Sequence, residues 1–109
     1  MRYEAFPEIE VPPFLQVGRW KDHSYRNDAC AKSFLVLESD AHGPTRGIIV
    51  WVNYDDPSDR EVPHKYRVEA RESAADWEDD DGVELYSGEN AAEAVAVIVK
   101  YMMKLEVED

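Results

Sequence analysis

Several features are scarce in this sequence, and each scarcity excludes a class of protein. Cys30 is the sole cysteine among 109 residues, so no disulfide can form within the chain, which agrees with a reducing compartment. No apolar run approaches the ~18 residues that span a membrane, and the first residues lack the basic-then-apolar pattern of a signal peptide. We therefore expect a cytoplasmic protein without a membrane contact.

Basic residues are scarce as well, with 12 of them against 24 acids. They form no cluster and show no aromatic-basic pattern of the RNA-binding type, so direct binding of nucleic acid is not expected. Glycine-rich phosphate loops are absent, and His23, His42 and His64 lie in dissimilar loops. The sequence therefore predicts no cofactor, no metal and no enzymatic activity.

The acidic residues that are present are distributed unevenly. Residues 1–54 carry seven acids and six bases, whereas residues 55–109 carry seventeen acids and six bases, and the net charge is -12. Nine acids follow one another from Glu72 to Glu93 without a Lys or Arg among them. Such a charge distribution repels nucleic acid and anionic membranes and attracts basic protein surfaces.

The length and the 44% hydrophobic content fit a single domain over residues 1–109. The segment from Asn90 to Leu105 has the spacing of an amphipathic helix, with Asn90 as its cap and Glu93 completing a capping box. Ile48 to Tyr54 is β-branched and aromatic, which is typical of a central strand. Lys65 to Arg71 alternates, which predicts a strand with one apolar face and one solvated face.

The remaining elements are predicted from shorter patterns. Further strands are expected at Phe14–Trp20, Phe34–Glu38 and Val83–Tyr86, a turn at His42–Gly47, and a helical turn at Ala74–Glu78. Prolines in residues 1–13 favour an extended N-terminal arm along the edge of the domain. The predicted fold class is α+β, an antiparallel sheet of four to five strands with one C-terminal helix packed on one face.

The apolar arc of the predicted helix is wider than one-sided packing requires. Its additional members are Ala92, Ala96, Val99 and Met103. The N-terminal arm or residues 72–82 would cover this extra surface, or else it forms an interface with a second copy or another partner.

A loop before the Phe34–Glu38 strand concentrates reactive side chains. They are Asp22, His23, Ser24, Asn27, Asp28 and Cys30, within nine residues. One interpretation is a small enzyme or ligand-binding domain in which a histidine activates the Cys30 thiol. The other is that the Asp, Ser and Asn side chains bind backbone groups of a tight loop while Cys30 is a small buried side chain.

Some of these residues also carry a resemblance. Together with Trp20, Phe34, the strand Trp51–Tyr54, Asp56-Pro57 and Arg60-Glu61, the loop resembles a family of short uncharacterised bacterial and phage-borne proteins, from about Trp20 to Val68. It departs from that family's pattern at Tyr25-Arg26 and Ala31-Lys32. The resemblance implies the strand assignments and a structural or binding role for the loop, and it names no reaction. In size, acidity and lack of a catalytic motif, the chain is also similar to small acidic phage-encoded inhibitors of bacterial defence.

The leading hypothesis is a non-enzymatic protein that docks its acidic surface on a basic partner. Because Arg and Lys accept carboxylates much as they accept phosphates, such a surface can imitate nucleic acid and inhibit a nucleic-acid-binding protein. The contacts are predicted for Asp76, Glu78, Asp79, Asp80, Asp81 and Glu84, joined by Asp55, Asp56 and Asp59. The alternatives are a merely solvated acidic surface, a function of the Asp22 to Cys30 loop, and a structural homodimer. The spacing of these acids does not fit a calcium loop, so no metal is assigned to them.

Overall fold

The chain folds into a five-stranded antiparallel sheet with a long helix on one face. The computed structural model describes residues 1–25 and 28–108, with side chains described as far as Leu105. The strands are β1 (Lys21–Asp22), β2 (Ala31–Asp40), β3 (Gly43–Val52), β4 (Tyr66–Arg71) and β5 (Val83–Gly88), and each pairs with its neighbour in sequence. The helices are α1 (Ala74–Glu78) and α2 (Ala91–Glu108), and short 3-10 turns lie at Pro13–Leu15 and Pro57–Asp59. The predicted α+β fold is confirmed.

One face of the sheet, the core face, carries most of the hydrophobic core. Residues paired across neighbouring strands share a face, and Val50 of β3 pairs with Ser33 of β2 and with Val68 of β4. All three are buried. Helix α2 contacts β4 and β5 on this side and buries Ala94 and Ile98 in the same cluster, so the predicted position of the helix is correct.

The N-terminal segment belongs to the core and is not the extended edge arm that its prolines suggest. Its chain folds back on itself through a bridge between Arg2 and Glu10. The Tyr3 hydroxyl lies 2.7 Å from the Ser33 hydroxyl in the middle of the sheet. The prolines prevent a long strand, but they leave the segment free to turn its side chains inward. The buried ones are Tyr3, Phe6, Ile9 and Val11.

The predicted strand at Phe14–Trp20 is wrong. Pro13–Leu15 forms a 3-10 turn, and Gly18 has a φ of 68°, a left-handed conformation in which the chain changes direction. Strand β1 begins only at Lys21 and has two residues. The apolar residues of this stretch pack individually, as Leu15 does in the core, so composition alone suggested a strand that the backbone does not form.

The predicted turn at His42–Gly47 is mostly strand. β3 begins at Gly43, and Gly43 pairs with Asp40 while Gly47 pairs with Val36. The reversal between β2 and β3 therefore needs only Ala41 and His42. Gly43 has a φ of 133°, which a residue without a Cβ adopts without strain, and this allows so short a connection.

Helix α2 begins as predicted, but its capping box does not form. The Asn90 side-chain oxygen accepts a hydrogen bond from the Glu93 amide at 3.1 Å, which caps the first turn. The Asn90 amide donates to the Tyr86 hydroxyl at 3.1 Å, in the place where a carboxylate of Glu93 was expected. The extra apolar arc of the helix is left uncovered, since Val99 and Met103 are exposed.

The second sheet face, the outer face, is only partly solvated, whereas the alternation in β4 predicted a fully solvated face; Arg67 is exposed there. Lys32, Glu69 and Arg71 are all buried there. Helix α1 contacts β3 and β4, and its Trp77 ring packs edge-on against Phe34 with centroids 6.2 Å apart. Trp77 also lies directly above Gly47, where an added Cβ would stand 2.7 Å from the indole. A five-residue helix thus covers part of a charged strand face.

Replacing Ile9 tests whether the N-terminal segment is part of the core. Ile9 is 2% exposed, so Ile9→Ala should lower the free energy of unfolding by about 3 kcal/mol, because it leaves a cavity as well as losing buried area. Urea denaturation measures this, with the 63% exposed Val17 as the matched control, since Val17→Ala should change it by under about 0.5 kcal/mol. Equal, small effects of the two variants would show that the segment is a loosely attached arm.

Candidate functional site

Eight of the nine predicted acidic residues fall into two loops at opposite ends of β4, and the ninth, Glu84, lies in β5 opposite Glu69. The first acidic loop, residues 55–63, leads from β3 to β4, and the second acidic loop, residues 72–82, leads from β4 to β5. Strand β4 has six residues, so the loops lie roughly 20 Å apart at about 3.3 Å per residue. The sequence does not reveal this division, because it places all nine predicted acids within thirty residues of one another.

The second acidic loop is built around one buried arginine. Arg71 is 1% exposed, and its Nη1 donates to the carbonyl oxygens of Asp76 at 2.7 Å and Asp81 at 2.6 Å. Its Nη2 donates to the Asp80 carboxylate at 3.0 Å. Asp80 has a φ of 52°, a conformation that costs energy in any residue other than glycine and that this bond helps to hold. One guanidinium therefore closes the whole loop.

Side chains within the second acidic loop add backbone contacts of their own. Ser73 caps α1 by accepting from the Asp76 amide, and the Asp76 carboxylate accepts from the Glu72 amide at 2.8 Å. The Asp81 carboxylate accepts from the Gly82 amide at 2.8 Å. Asp76 and Asp81 are therefore used, in part, to shape the loop.

The first acidic loop is built in the same way around Arg60. The Arg60 side chain is 4% exposed, its Nε donates to the Tyr54 carbonyl at 2.7 Å, and its terminal nitrogens donate to the carbonyls of Pro63 and Asp55 at 3.1 Å. Its Nη1 also pairs with Glu89 at 2.7 Å. The two acidic loops therefore share one construction, a buried guanidinium bound to main-chain oxygens.

The nine predicted contact residues differ in how free their carboxylates are. Three pair with bases of the chain itself: Asp55 with Lys65 at 2.7 Å, Asp80 with Arg71 at 3.0 Å, and Glu84 with Arg67 at 3.4 Å. Asp56 accepts from the amide and hydroxyl of Ser58, which lowers its pKa. Of these nine residues, all in the described part of the chain, Asp59, Glu78 and Asp79 are exposed and have carboxylates without such a partner.

Between the two loops the outer face carries a cluster of charges around Trp51. Lys32 Nζ and the guanidinium carbons of Arg67 and Arg71 lie 5.6 to 5.9 Å from the centroid of the indole, in the range of cation–π attraction. Glu69 bridges Arg67 and Arg71 at 3.1 Å. Burial raises the pKa of Glu69, and the two guanidinium groups only partly oppose that shift. An open cleft of about 460 Å³ lies beside this cluster.

The loop from Asp22 to Cys30 binds backbone groups at several of the predicted positions. The two Asp22 oxygens accept from the amides of Ser24 and Glu4 at 2.8 and 3.0 Å. Ser24 Oγ accepts from the Lys32 amide at 2.9 Å, and Asp28 pairs with Lys32 at 3.7 Å. Asn27 lies outside the described residues. These contacts join the loop to the N-terminal segment and to the start of β2.

Cys30 is buried among core residues and is not held as a nucleophile. Its side chain is 3% exposed, and burial, aided by the negative charge of Asp28, raises the pKa of the thiol to about 11. His23 instead contacts Tyr25 and Phe34 through its ring. Because the thiolate is the reactive form, this environment suppresses the chemistry that the sequence pattern permits.

The arginines that hold both loops are not among the residues predicted from the sequence. The sequence pattern assigns Arg60 to a loop and Arg71 and Trp51 to strands, without a special role. A signal was present: Arg71 ends a strand and is the last base before nine acids, and Arg60 follows three aspartates. An isolated base beside an acid-rich loop is a candidate for a buried clamp on that loop, since its guanidinium has five donors.

Removing the Arg71 guanidinium should destabilise the protein far more than removing that of Arg67. Arg71→Ala leaves two carbonyls without their donor and the buried Glu69 carboxylate without one of its two ion-pair partners, so we expect a loss of about 3 kcal/mol or more in urea denaturation. Arg67 lies on the same strand and face, but its side chain is 51% exposed, so Arg67→Ala should cost under about 1 kcal/mol. Similar losses for both variants would contradict the clamp role of Arg71.

Cys30 should react slowly with thiol reagents while the protein is folded. With a pKa of about 11 against roughly 8.5 in an unfolded chain, its thiolate fraction at pH 8 is at least about 100-fold smaller. The rate of labelling by iodoacetamide in native and in denaturing buffer measures this, and the native rate should rise with pH toward the thiol pKa. Equal rates at pH 8 would restore Cys30 as a candidate nucleophile.

Comparisons with known proteins and searches for particular sites give no match. No protein-family model, curated protein or solved structure matches the chain. Among the described side chains, those of residues 1–25 and 28–105, no group of three His, Cys, Asp or Glu is placed to hold a metal ion. No helix in that part of the chain has the length and apolar character needed to cross a membrane.

Proposed function

We propose that this protein is a non-enzymatic binding protein whose second acidic loop docks on a basic surface of another protein. The partner is a nucleic-acid-binding protein, and the protein acts as a nucleic-acid-mimicking inhibitor, anti-CRISPR-like or directed at another defence system of a phage's or mobile element's host. The single observation that carries the proposal is the fixation of an acidic loop by the buried Arg71.

Fixation matters because a flexible acidic loop would lose conformational entropy when it binds. Ordering a flexible loop and its side chains on association costs free energy. In a preformed loop this cost arises during folding and does not weaken binding. The backbone of residues 76–82 is held by Arg71, by the Ser73 cap and by the Asp81 contact with Gly82. A loop that served only solubility would need no such fixation, since a flexible charged loop keeps a protein soluble equally well.

The exposure of two carboxylates in the second acidic loop supports a contact with a partner. Glu78 ends α1, Asp79 follows it, and both are exposed. Arg and Lys side chains that bind phosphates bind carboxylates with similar geometry. Asp80 and Glu84 extend the negative surface, although their pairing with Arg71 and Arg67 reduces what they add. Glu78 and Asp79 therefore carry the largest share of the expected contact.

The first acidic loop provides a secondary contact. Asp55, Asp56 and Asp59 lie about 20 Å away along β4, and Arg60 holds their backbone. A partner with a basic groove long enough to reach both ends of β4 meets two fixed groups of carboxylates. Electrostatic contacts of this kind speed association and weaken as salt is raised.

Reversing two free carboxylates tests the proposal. The protein is immobilised and exposed to a bacterial lysate at low salt. The proteins released at high salt are identified, and the affinity of the purified partner is then measured. Glu78→Lys with Asp79→Lys should weaken binding at least about 10-fold, or ~1.4 kcal/mol, and duplex DNA or RNA should compete with the wild-type protein.

The matched control is Glu8→Lys with Glu10→Lys, which changes the net charge equally at two exposed residues of the N-terminal segment. It should weaken binding by less than about 3-fold, since Glu8 and Glu10 line a cleft with Asp55 of the first acidic loop, where the proposed contact is only secondary. Equal losses of affinity in the two double variants would show that binding depends only on the net charge of the protein. Retention of the partner by the Glu78 and Asp79 variant, or no competition by nucleic acid, would refute the proposal.

A further inference from the structure

The outward side of α2 carries an apolar stripe that the domain does not use. Its members follow one another at spacings of four, three and four residues, and the larger two, Val99 and Met103, are 46% and 60% exposed. The buried residues Ala94 and Ile98 lie on another side of the helix. Spacings of three and four residues that alternate are those of the seam of a coiled coil. The stripe consists of Ala92, Ala96, Val99 and Met103, all of them exposed.

We propose that this stripe is the interface of a homodimer in which α2 packs antiparallel against α2 of a second copy. A two-fold axis near the middle of the stripe sets Val99 against Ala96 of the second copy and Met103 against its Ala92. Every layer then combines a large side chain with a small one, which is how interdigitated helix cores fill space. Because the contact is isologous, each such layer occurs twice.

The residues that border the stripe select the antiparallel direction. Glu93 and Lys100 follow Ala92 and Val99 on one flank and both are exposed. In the antiparallel arrangement Glu93 of one copy meets Lys100 of the other, and the symmetry repeats this ion pair. On the opposite flank Val95 meets Met102 of the second copy, so apolar groups also meet apolar groups.

A parallel arrangement lacks this complementarity. It would set Met103 level with Met103 and Ala92 level with Ala92, which crowds one end of the seam and leaves a gap at the other. It would also place Glu93 and Lys100 beside the apolar flank of the neighbouring helix, without an opposite charge. A basic partner protein is a poorer occupant as well, since the stripe is neutral and its flank contains Lys100.

The dimer is expected to be weak. The stripe covers about two heptads, so it buries less than the ~800 Å² per partner of a standard interface. The net charge of -12 on each copy adds repulsion between them. The stripe shares no residue with the acidic loops of the proposed function, so each proposal can fail without the other.

Sedimentation velocity from about 1 µM to about 500 µM protein tests the dimer, a range suited to a small interface. The wild type should move from monomer to dimer across this range. Glu93→Lys puts two like-charged pairs in the interface, and so does Lys100→Glu, so each variant alone should dissociate at least about 10-fold more readily. An equimolar mixture of the two variants restores opposite charges at both contacts and should dimerise as the wild type does.

The double variant with both changes in one chain should also regain the wild-type affinity. Glu4→Lys is the control, since Glu4 is exposed and its amide binds Asp22 of β1, at the edge of the sheet opposite to β5, and circular dichroism verifies that each variant is folded. A wild type that stays monomeric at about 500 µM overturns the proposal. A dimer that neither charge reversal weakens, or variants whose mixture stays monomeric, also overturn it, because the contact would then lie elsewhere.

Discussion

The architecture of the charged half of this protein depends on buried guanidinium groups that bind main-chain carbonyls. Arg71 holds the loop between β4 and β5, and Arg60 holds the loop between β3 and β4. Burying an arginine lowers the stability of the folded protein unless its N–H groups have hydrogen-bond or ion-pair partners. Arg60 donates to three backbone oxygens, and Arg71 donates to two through Nη1 while its Nη2 faces the carboxylates of Asp80 and Glu69. These contacts offset part of the free-energy cost of burying each charge and of ordering each acidic loop.

This arrangement explains how one half of the chain tolerates so many like charges. The seventeen acids of residues 55–109 face six bases, and three of those bases, Arg60, Arg67 and Arg71, lie between or beside the acidic loops. Each base neutralises charge where carboxylates are most crowded. The carboxylates of Asp59, Glu78 and Asp79 are left exposed, which places free negative charge on the loops. An acidic surface of this kind is fixed in shape as well as in sign.

The sequence predicted the regular elements better than the loops, for physical reasons. β4 and α2 can be predicted from local periodicity, because alternation and the spacing of apolar residues depend only on neighbours in the chain. The inward turn of the N-terminal segment depends on Tyr3 meeting Ser33, thirty residues away, and no local pattern contains that information. The prediction of a solvated outer face was wrong because α1, with Trp77, covers part of that face, and α1 belongs to a separate segment of the chain.

For the candidate site, the acids were predicted by composition, but their roles were not. In the sequence, Asp76, Asp81 and Glu78 are equivalent acidic residues. In the structure, the carboxylates of Asp76 and Asp81 accept hydrogen bonds from backbone amides, whereas Glu78 is exposed. The distinction arises from loop geometry, which the single arginine at the end of β4 establishes.

The most direct test of this account is the backbone order of the two acidic loops in solution. Amide ¹⁵N relaxation should give order parameters near 0.85 for residues 76–82 and 55–63, similar to those of β3 and β4, because buried guanidinium groups hold both loops. Order parameters below about 0.6 in these loops would show that Arg60 and Arg71 do not fix them. The acidic surface would then be a flexible, solvated chain without a defined shape.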